Sequence, residues 1–172
     1  METQSQIKSR IDNPLNIFPN ALKALIAFGA ATSQSGVSPR TFELVHLRAS
    51  QINSCSVCVE MHADALKNMG ETDARIFAVG AWRESPYFTD AERAAFALTE
   101  AATRLSDRPD AVSDEIWNDA ARHYDERGLA ALVIHIAGIN AFNRINAATK
   151  QVAGPWIKSL NAQQPNGRAV AS

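Results

Sequence analysis

Apolar residues along this chain recur at intervals of three and four, in runs separated by short polar breaks. Leu22, Leu25, Ile26 and Phe28 make one run, and Phe42, Val45, Ala49 and Ile52 make another. That period is the mark of helices that bury one face. Period-two alternation is missing, and β-branched residues are sparse before the last run. The pattern therefore predicts an all-α fold.

Capping residues set the expected boundaries. A first helix runs from Pro19 to about Ser33. Ser38 caps a second, with Pro39 at its first position, and it runs to about Asn53. Asn53 or Ser54 caps a third helix that ends at Gly70, with Cys55 in its first turn. Thr72 caps a fourth, to about Glu84, and Thr89 with Glu92 forms a capping box for a fifth, to about Leu105. Ser113 starts a sixth, to about Asp125, and Gly128 precedes a long apolar helix from Leu129 to Lys150. This makes about seven helices in a single domain spanning 1–172, with an ordered core of about 15–160. Residues 1–17 read as an extended arm and Asn161–Ser172 as a disordered tail.

The last helix carries Leu129, Leu132, Val133, Ile134, Ile136, Ile139, Phe142 and Ile145, which cover more than one face. It is either the central helix or part of a subunit interface. His135 within it reads as a core residue, His123 as a surface residue near a helix end, and Trp82, Trp117 and Trp156 as core or interface anchors. Asn143 and Arg144 fit subunit or helix-end contacts equally well.

Composition narrows the function classes. The 172 residues are 46% hydrophobic and 20% charged, with a formal net charge of -1 and no basic run. Neither nucleic acid nor an anionic membrane surface is an expected partner. Met1–Asp12 is polar, and no apolar stretch reaches the roughly 18 residues of a membrane span. The expected compartment is the cytoplasm, where a Cys-x-x-Cys pair is redox-active or metal-bound rather than a structural staple.

Cys55 and Cys58 are the only two cysteines, and His62 follows at the next turn. At a helix N-terminus the free amides favour a thiolate. An unperturbed thiol of pKa about 8.5 is only a few per cent ionised at neutral pH, so the shift matters. On the preceding helix Glu43, His46, Ser50 and Asn53 make one polar stripe. Either it faces the thiols, with Glu43 orienting His62, or it faces water.

The segment from Glu43 through Ser50, Asn53, Cys55 and Cys58 to His62 resembles the signature of the alkyl hydroperoxidase D / carboxymuconolactone decarboxylase superfamily. A weaker resemblance extends through Ala63–Gly70 and to Asn143-Arg144-Ile145-Asn146. The resemblance implies an all-helical, oligomeric protein and a peroxidase cycle. Cys58 would attack the peroxide, Cys55 would resolve, His62 would be the base and Glu43 would complete the proton relay. In a mycobacterial member a further relay histidine precedes the second cysteine; here that residue is Val57.

The implied partners are a hydroperoxide, a dithiol donor such as a dihydrolipoyl or thioredoxin-like protein, and further copies of the chain. No cofactor and no metal are expected. The chemical rival is a structural zinc on Cys55, Cys58, His62 and His46, although no second Cys-x-x-Cys pair exists to complete the usual four-ligand set. A decarboxylase-type lyase and a non-catalytic redox-sensing module are the functional rivals. Within the site, His62 favours Cys58 as the attacking thiolate, whereas the helix terminus favours Cys55.

The apolar excess of the last helix predicts at least a dimer. Sedimentation at micromolar concentration should give a multiple of 18.7 kDa, and a single-chain mass would contradict it.

Overall fold

The computed structural model describes residues 7–154, and these contain eight α-helices and no strand. The helices are α1 (Pro14–Ile17), α2 (Pro19–Ala30), α3 (Pro39–Ile52), α4 (Ser56–Asn68), α5 (Asp73–Ala78), α6 (Asp90–Thr103), α7 (Asp114–Ala121) and α8 (Glu126–Ala148). A 3₁₀ turn, Val79–Ala81, continues α5. The expected tail and Trp156 lie outside the described residues.

Most starts follow the expected chemistry. The Ser38 hydroxyl accepts the Thr41 amide at 3.1 Å. In α6 the Thr89 hydroxyl accepts the Glu92 amide while the Glu92 carboxylate accepts the Thr89 amide, which closes the capping box.

Four expectations are corrected. The arm is helical at Pro14–Ile17, because Asn13 caps it and is itself buried. Cys55 is not in the first turn of α4 but is its N-cap: its Sγ accepts the Cys58 amide at 3.3 Å. Ser54, at φ +55°, makes the sharp left-handed step that lets α4 fold back on α3. The last helix begins at Glu126, where the Asp125 carboxylate accepts the Gly128 amide at 2.7 Å. Gly128 is therefore inside that helix. A Cβ there would lie 3.3 Å from Tyr124 and Val37, so the glycine serves close packing rather than a break.

Helix α3 is the axis of the bundle and packs against α4, α6 and α8. Leu44 and Leu47 join Leu66, Ile76, Val79, Trp82, Phe88 and Phe96 in one apolar cluster. Phe42 and Val45 join Ala94, Ala95, Leu98, Leu129, Leu132 and Ile136 in a second. A third and smaller cluster, Ala49, Cys55, Val57, Cys58 and Ile139, surrounds the thiols.

Helix α8 packs on α2, α3, α4, α6 and α7, which makes it a central helix. By length and composition alone it is apolar enough to cross a membrane, contrary to the sequence expectation; half of that apolar window is buried inside the bundle. Trp82 is a core anchor as expected, but Trp117 is largely exposed.

One ion cluster ties α3 to α6. Glu100 accepts hydrogen bonds from Arg48 Nε, Trp82 Nε1 and Arg83 Nη1, each at 2.8 Å. Burial alone would raise the Glu100 pKa, but the bonds from Trp82, Arg83 and Arg48 outweigh it and hold the carboxyl below its ordinary value. Glu100→Ala removes the shared acceptor and leaves a buried indole N–H and a partly buried guanidinium unpaired. It should cost about 2–4 kcal/mol of unfolding free energy, read by urea denaturation. A change under about 0.5 kcal/mol, typical of surface positions, would show that the cluster is dispensable.

Candidate active site

The polar stripe of α3 does not face water. Glu43, His46 and Ser50 are all buried, as are Phe42, Val45 and Ala49 opposite them. Each therefore needs a partner inside the protein. Glu43 finds one on α4: its Oε2 accepts His62 Nδ1–H at 2.7 Å, with the two side chains 2% and 3% exposed. The carboxylate fixes the imidazole's orientation and tautomer, leaving Nε2 with the lone pair. That Nε2 is buried and has no partner.

Cys55 and Cys58 form a disulfide, with Cα atoms 5.3 Å apart. Both sulfurs are buried beside Ile139 of α8. Asn146 Nδ2 donates to Cys58 Sγ at 3.4 Å, and Asn13 Nδ2 donates to Asn146 Oδ1 at 3.1 Å. The two sulfurs thus receive different donors: a side-chain amide for Cys58 and the helix terminus for Cys55. With the sulfurs bonded to each other, neither is a thiolate ligand in this state, so the structure does not assemble the four-ligand zinc set weighed above.

The rest of the stripe is met by α8. Asn143 Nδ2 donates to Ser50 Oγ at 3.1 Å. Asn53 Nδ2 donates at 2.9 Å to both Asn140 Oδ1 and Asn143 Oδ1. Asn143 is thus a wholly internal residue, and Arg144 hydrogen-bonds back to Asn140 on its own helix. Neither needs a subunit contact to explain it. Sequence reasoning passes over Asn146 as a contact to the thiols. The available signal is Asn140, Asn143 and Asn146 at intervals of three, one amide stripe on an otherwise apolar helix. Asn13 carries no such signal.

His46 points the other way along α3. Its Nε2 lies 3.0 Å from His135 Nδ1, and His135 Nε2 lies 2.8 Å from Thr32 Oγ1. The Thr32 hydroxyl donates to Gly29 O at 2.8 Å. Thr32 must then accept from His135 Nε2–H, and His135 Nδ1 must accept from His46 Nε2–H. His46 Nδ1 is left with a lone pair, buried and unpartnered. The His46 and His62 rings stand 4.8 Å apart, centroid to centroid, and His135 stacks on Phe42 at 3.6 Å. His135 is a satisfied core residue as expected, but its partner is another histidine.

Burial, then the neighbouring His62 and His135, push the His46 pKa well below its ordinary value. Burial pulls His135 down to about 4. Both rings are neutral at neutral pH.

A family profile of the carboxymuconolactone decarboxylase family matches residues 19–101. The uncharacterized protein YdfG of Bacillus subtilis is 36% identical over 132 residues, covering 77% of this chain and 88% of its own. A solved protein of unknown function from Agrobacterium tumefaciens, proposed as the antioxidant defence protein AhpD, superposes with a TM-score of 0.78 at 30% identity. The match covers 86% of this chain and 99% of that one. The debrominase Bmp8, solved with 2,3,4-tribromopyrrole, shares the fold at a TM-score of 0.72 and 17% identity, over 87% of this chain and 79% of its own.

The depressed histidines carry a pH dependence. Unfolded histidines take up protons near pH 6.5, while folded His135 does so only near 4 and folded His46 is lowered likewise. Between these values the unfolded chain binds more protons, so stability falls as pH drops from 6.5 towards 4. His46 is faced by His62, Glu43 and His135, and none of these reverses the sign. The melting temperature should fall across that window, and fall less in His135→Gln. Parallel curves for the two proteins would contradict the assignment.

Proposed function

Because this chain belongs to the carboxymuconolactone decarboxylase family, among its alkyl hydroperoxidase D-like members, we propose that it is a thiol-dependent peroxidase working through Cys55 and Cys58. The observation that carries the proposal is the buried Glu43–His62 pair, one helical turn beyond a Cys-x-x-Cys disulfide. An oriented base on the helix that carries both cysteines is what a disulfide cycle requires.

The cycle balances as follows. His62, oriented by Glu43, takes the Cys58 thiol proton. The thiolate attacks the peroxide oxygen, the O–O bond breaks, and the alkoxide leaves as alcohol after taking a proton. Cys58 is then a sulfenic acid. Cys55 attacks it, water departs, and the disulfide seen here forms. An external dithiol, such as a dihydrolipoyl or thioredoxin-like protein, returns two electrons and two protons. The net change is hydroperoxide plus dithiol to alcohol, water and disulfide.

Two features support Cys58 as the attacking sulfur: the Asn146 amide N–H that donates to it and its position one turn before His62 on α4. Cys55, held at the helix terminus, supports a resolving role, since a sulfur capped by the Cys58 amide is held close to its partner. The proposal places the protein in a reducing compartment such as the cytoplasm. It retains the homo-oligomer, for which the half-covered Leu22, Leu25 and Ile26 of α2 offer surface.

Peroxide turnover with dihydrolipoamide tests the reading. Cys58→Ser should abolish turnover. Cys55→Ser should leave a trappable sulfenic acid on Cys58 and stop after one event. Glu43→Gln and His62→Gln should slow the first event by about 10²- to 10⁴-fold, the range for a lost general base. Sulfenic acid trapped on Cys55 in Cys58→Ser, with none on Cys58 in Cys55→Ser, would reverse the roles. No turnover by the wild type with any dithiol, while a single oxidation still occurs, would make the protein a redox sensor. Lyase activity surviving loss of both cysteines would place it with the decarboxylases.

A further inference from the structure

Asn13 reaches the disulfide from a distant part of the chain, and its side chain has only one way to lie. It is the N-cap of α1, and its Oδ1 accepts the Leu15 backbone amide at 2.9 Å. A backbone N–H cannot turn into an acceptor, so Oδ1 must face the helix and Nδ2 must face away from it. That Nδ2 donates to Asn146 Oδ1 at 3.1 Å. A turned-over Asn146 would set two NH₂ groups against each other. Its Oδ1 is therefore held towards Asn13, and its Nδ2 is left to donate to Cys58 Sγ at 3.4 Å. Asn13, Asn146 and Cys58 are 4%, 5% and 0% exposed, so water does not compete for these bonds. The arm that carries Asn13 is tied across the C-terminal end of α8. The Arg10 amide donates to Thr149 O and its Nη1 to Ala148 O, each at 2.9 Å, and Gln151 Nε2 donates to Ile11 O at 3.1 Å.

From this we propose that Asn13 is a positioning residue for Cys58: it aims the Asn146 amide N–H at the sulfur and so favours the thiolate over the thiol. A hydrogen bond donated to the charged form stabilises that form, whereas the turned-over amide would present Oδ1 to the sulfur and disfavour it. Cys58 lies within α4, so its sulfur keeps its place beside Asn146 when the disulfide opens. In the proposed cycle the Glu43–His62 pair takes the proton, and Asn13, acting through Asn146, steadies the anion left behind. The inference rests on that cycle for its meaning, since Cys58 is the sulfur that ionises there.

Other titratable and charged groups surround the pair. Cys55 and His62 lie on the same helix as Cys58, and Glu43 and His46 lie on α3. Arg10 lies in the arm, and Arg144 of α8 is turned back to Asn140. Among the described residues none of these is bonded to the Asn13 or Asn146 side chain. They are the same in every protein compared below, so their influence cancels in the comparison.

The test uses the full-length chain carrying Cys55→Ser throughout, so that Cys58 is the only thiol and no internal disulfide closes. The pH profile of Cys58 alkylation by iodoacetamide gives its ionisation midpoint. Asn13→Ser keeps an oxygen to cap α1 but lacks the amide that reaches Asn146. It should raise the midpoint by about 0.3 to 1 pH unit, the 2- to 10-fold equivalent of one side-chain hydrogen bond. Asn146→Ala should raise it by at least as much. Asn13→Ser added to Asn146→Ala should raise it no further, because Asn13 acts only through that amide. Additive shifts in the combined variant, or an unmoved midpoint in either single variant, would overturn the proposal. An NMR titration with isotope-labelled asparagine keeps both asparagines in place, so it holds even if a substitution disturbs folding. The Asn146 side-chain amide signal should shift at the midpoint of the alkylation profile, and a signal that stays still across it would equally overturn the proposal. All midpoints are read without peroxide. A protein that turns over no peroxide would defeat the cycle and leave these values standing, whereas unmoved midpoints in an active peroxidase would defeat only the role of Asn13.

Discussion

A helix that is half polar and yet buried on nearly every side imposes the governing constraint on this fold. Helix α3 carries Glu43, His46 and Ser50 along one face, continued by Asn53 at its C-cap, and the bundle closes over those three helical residues as it does over Phe42, Val45 and Ala49. Polar groups taken out of water must find partners or cost more than the burial returns. Helix α4 supplies His62 to Glu43, and α8 supplies His135, Asn140 and Asn143 to the rest. The placement of both helices against α3 is thus dictated by hydrogen bonding as well as by the apolar clusters on either side. Apolar contact alone would leave α8 free to slip along α3. The ladder of amides, reaching from Asn140 to Asn146, sets its register.

The same constraint bears on where the disulfide sits. The disulfide lies where residues of α3, α4 and α8 meet, against Ala49, Val57 and Ile139 with Phe142 packed beside them. Asn146 of α8 donates to Cys58 Sγ, and His62, one turn further along α4, is held by Glu43. In such a setting a charge is expensive unless a partner is fixed in advance, and here the partners are rigid helix-borne side chains. In the proposed cycle an anionic sulfur here would be stabilised by preorganised partners rather than by solvent.

Much of this is legible in the chain, for reasons that can be named. Cys55, Cys58, His62 and Glu43 share local helical spacings on two consecutive helices, so the pairing of Glu43 with His62 and of Cys55 with Cys58 follows from one tight turn. What that turn does to Cys55 is not legible. Ser54 adopts a left-handed backbone that only the folded chain reveals, and this moves Cys55 from first turn to cap. Asn143 is visible but ambiguous, because its partners Ser50 and Asn53 lie some ninety residues earlier. The His46–His135 bond joins residues 89 apart, and no local pattern encodes a contact of that reach. The short helix α1 reads as arm in the sequence because its stabilising contact, Asn13 to Asn146, is equally remote.

Cys55 is at once a partner in the disulfide and the atom that caps α4. The first turn of a helix frays according to the quality of its cap, and a bonded sulfur, a thiol and a thiolate are three acceptors of very different strength. Opening this disulfide would therefore change the mechanical tightness of a helix end, not only the bonding of two atoms. Val57 and Ser56, which belong to that end, inherit the change. The bonding state of one sulfur is thereby coupled to the breathing of one helical turn.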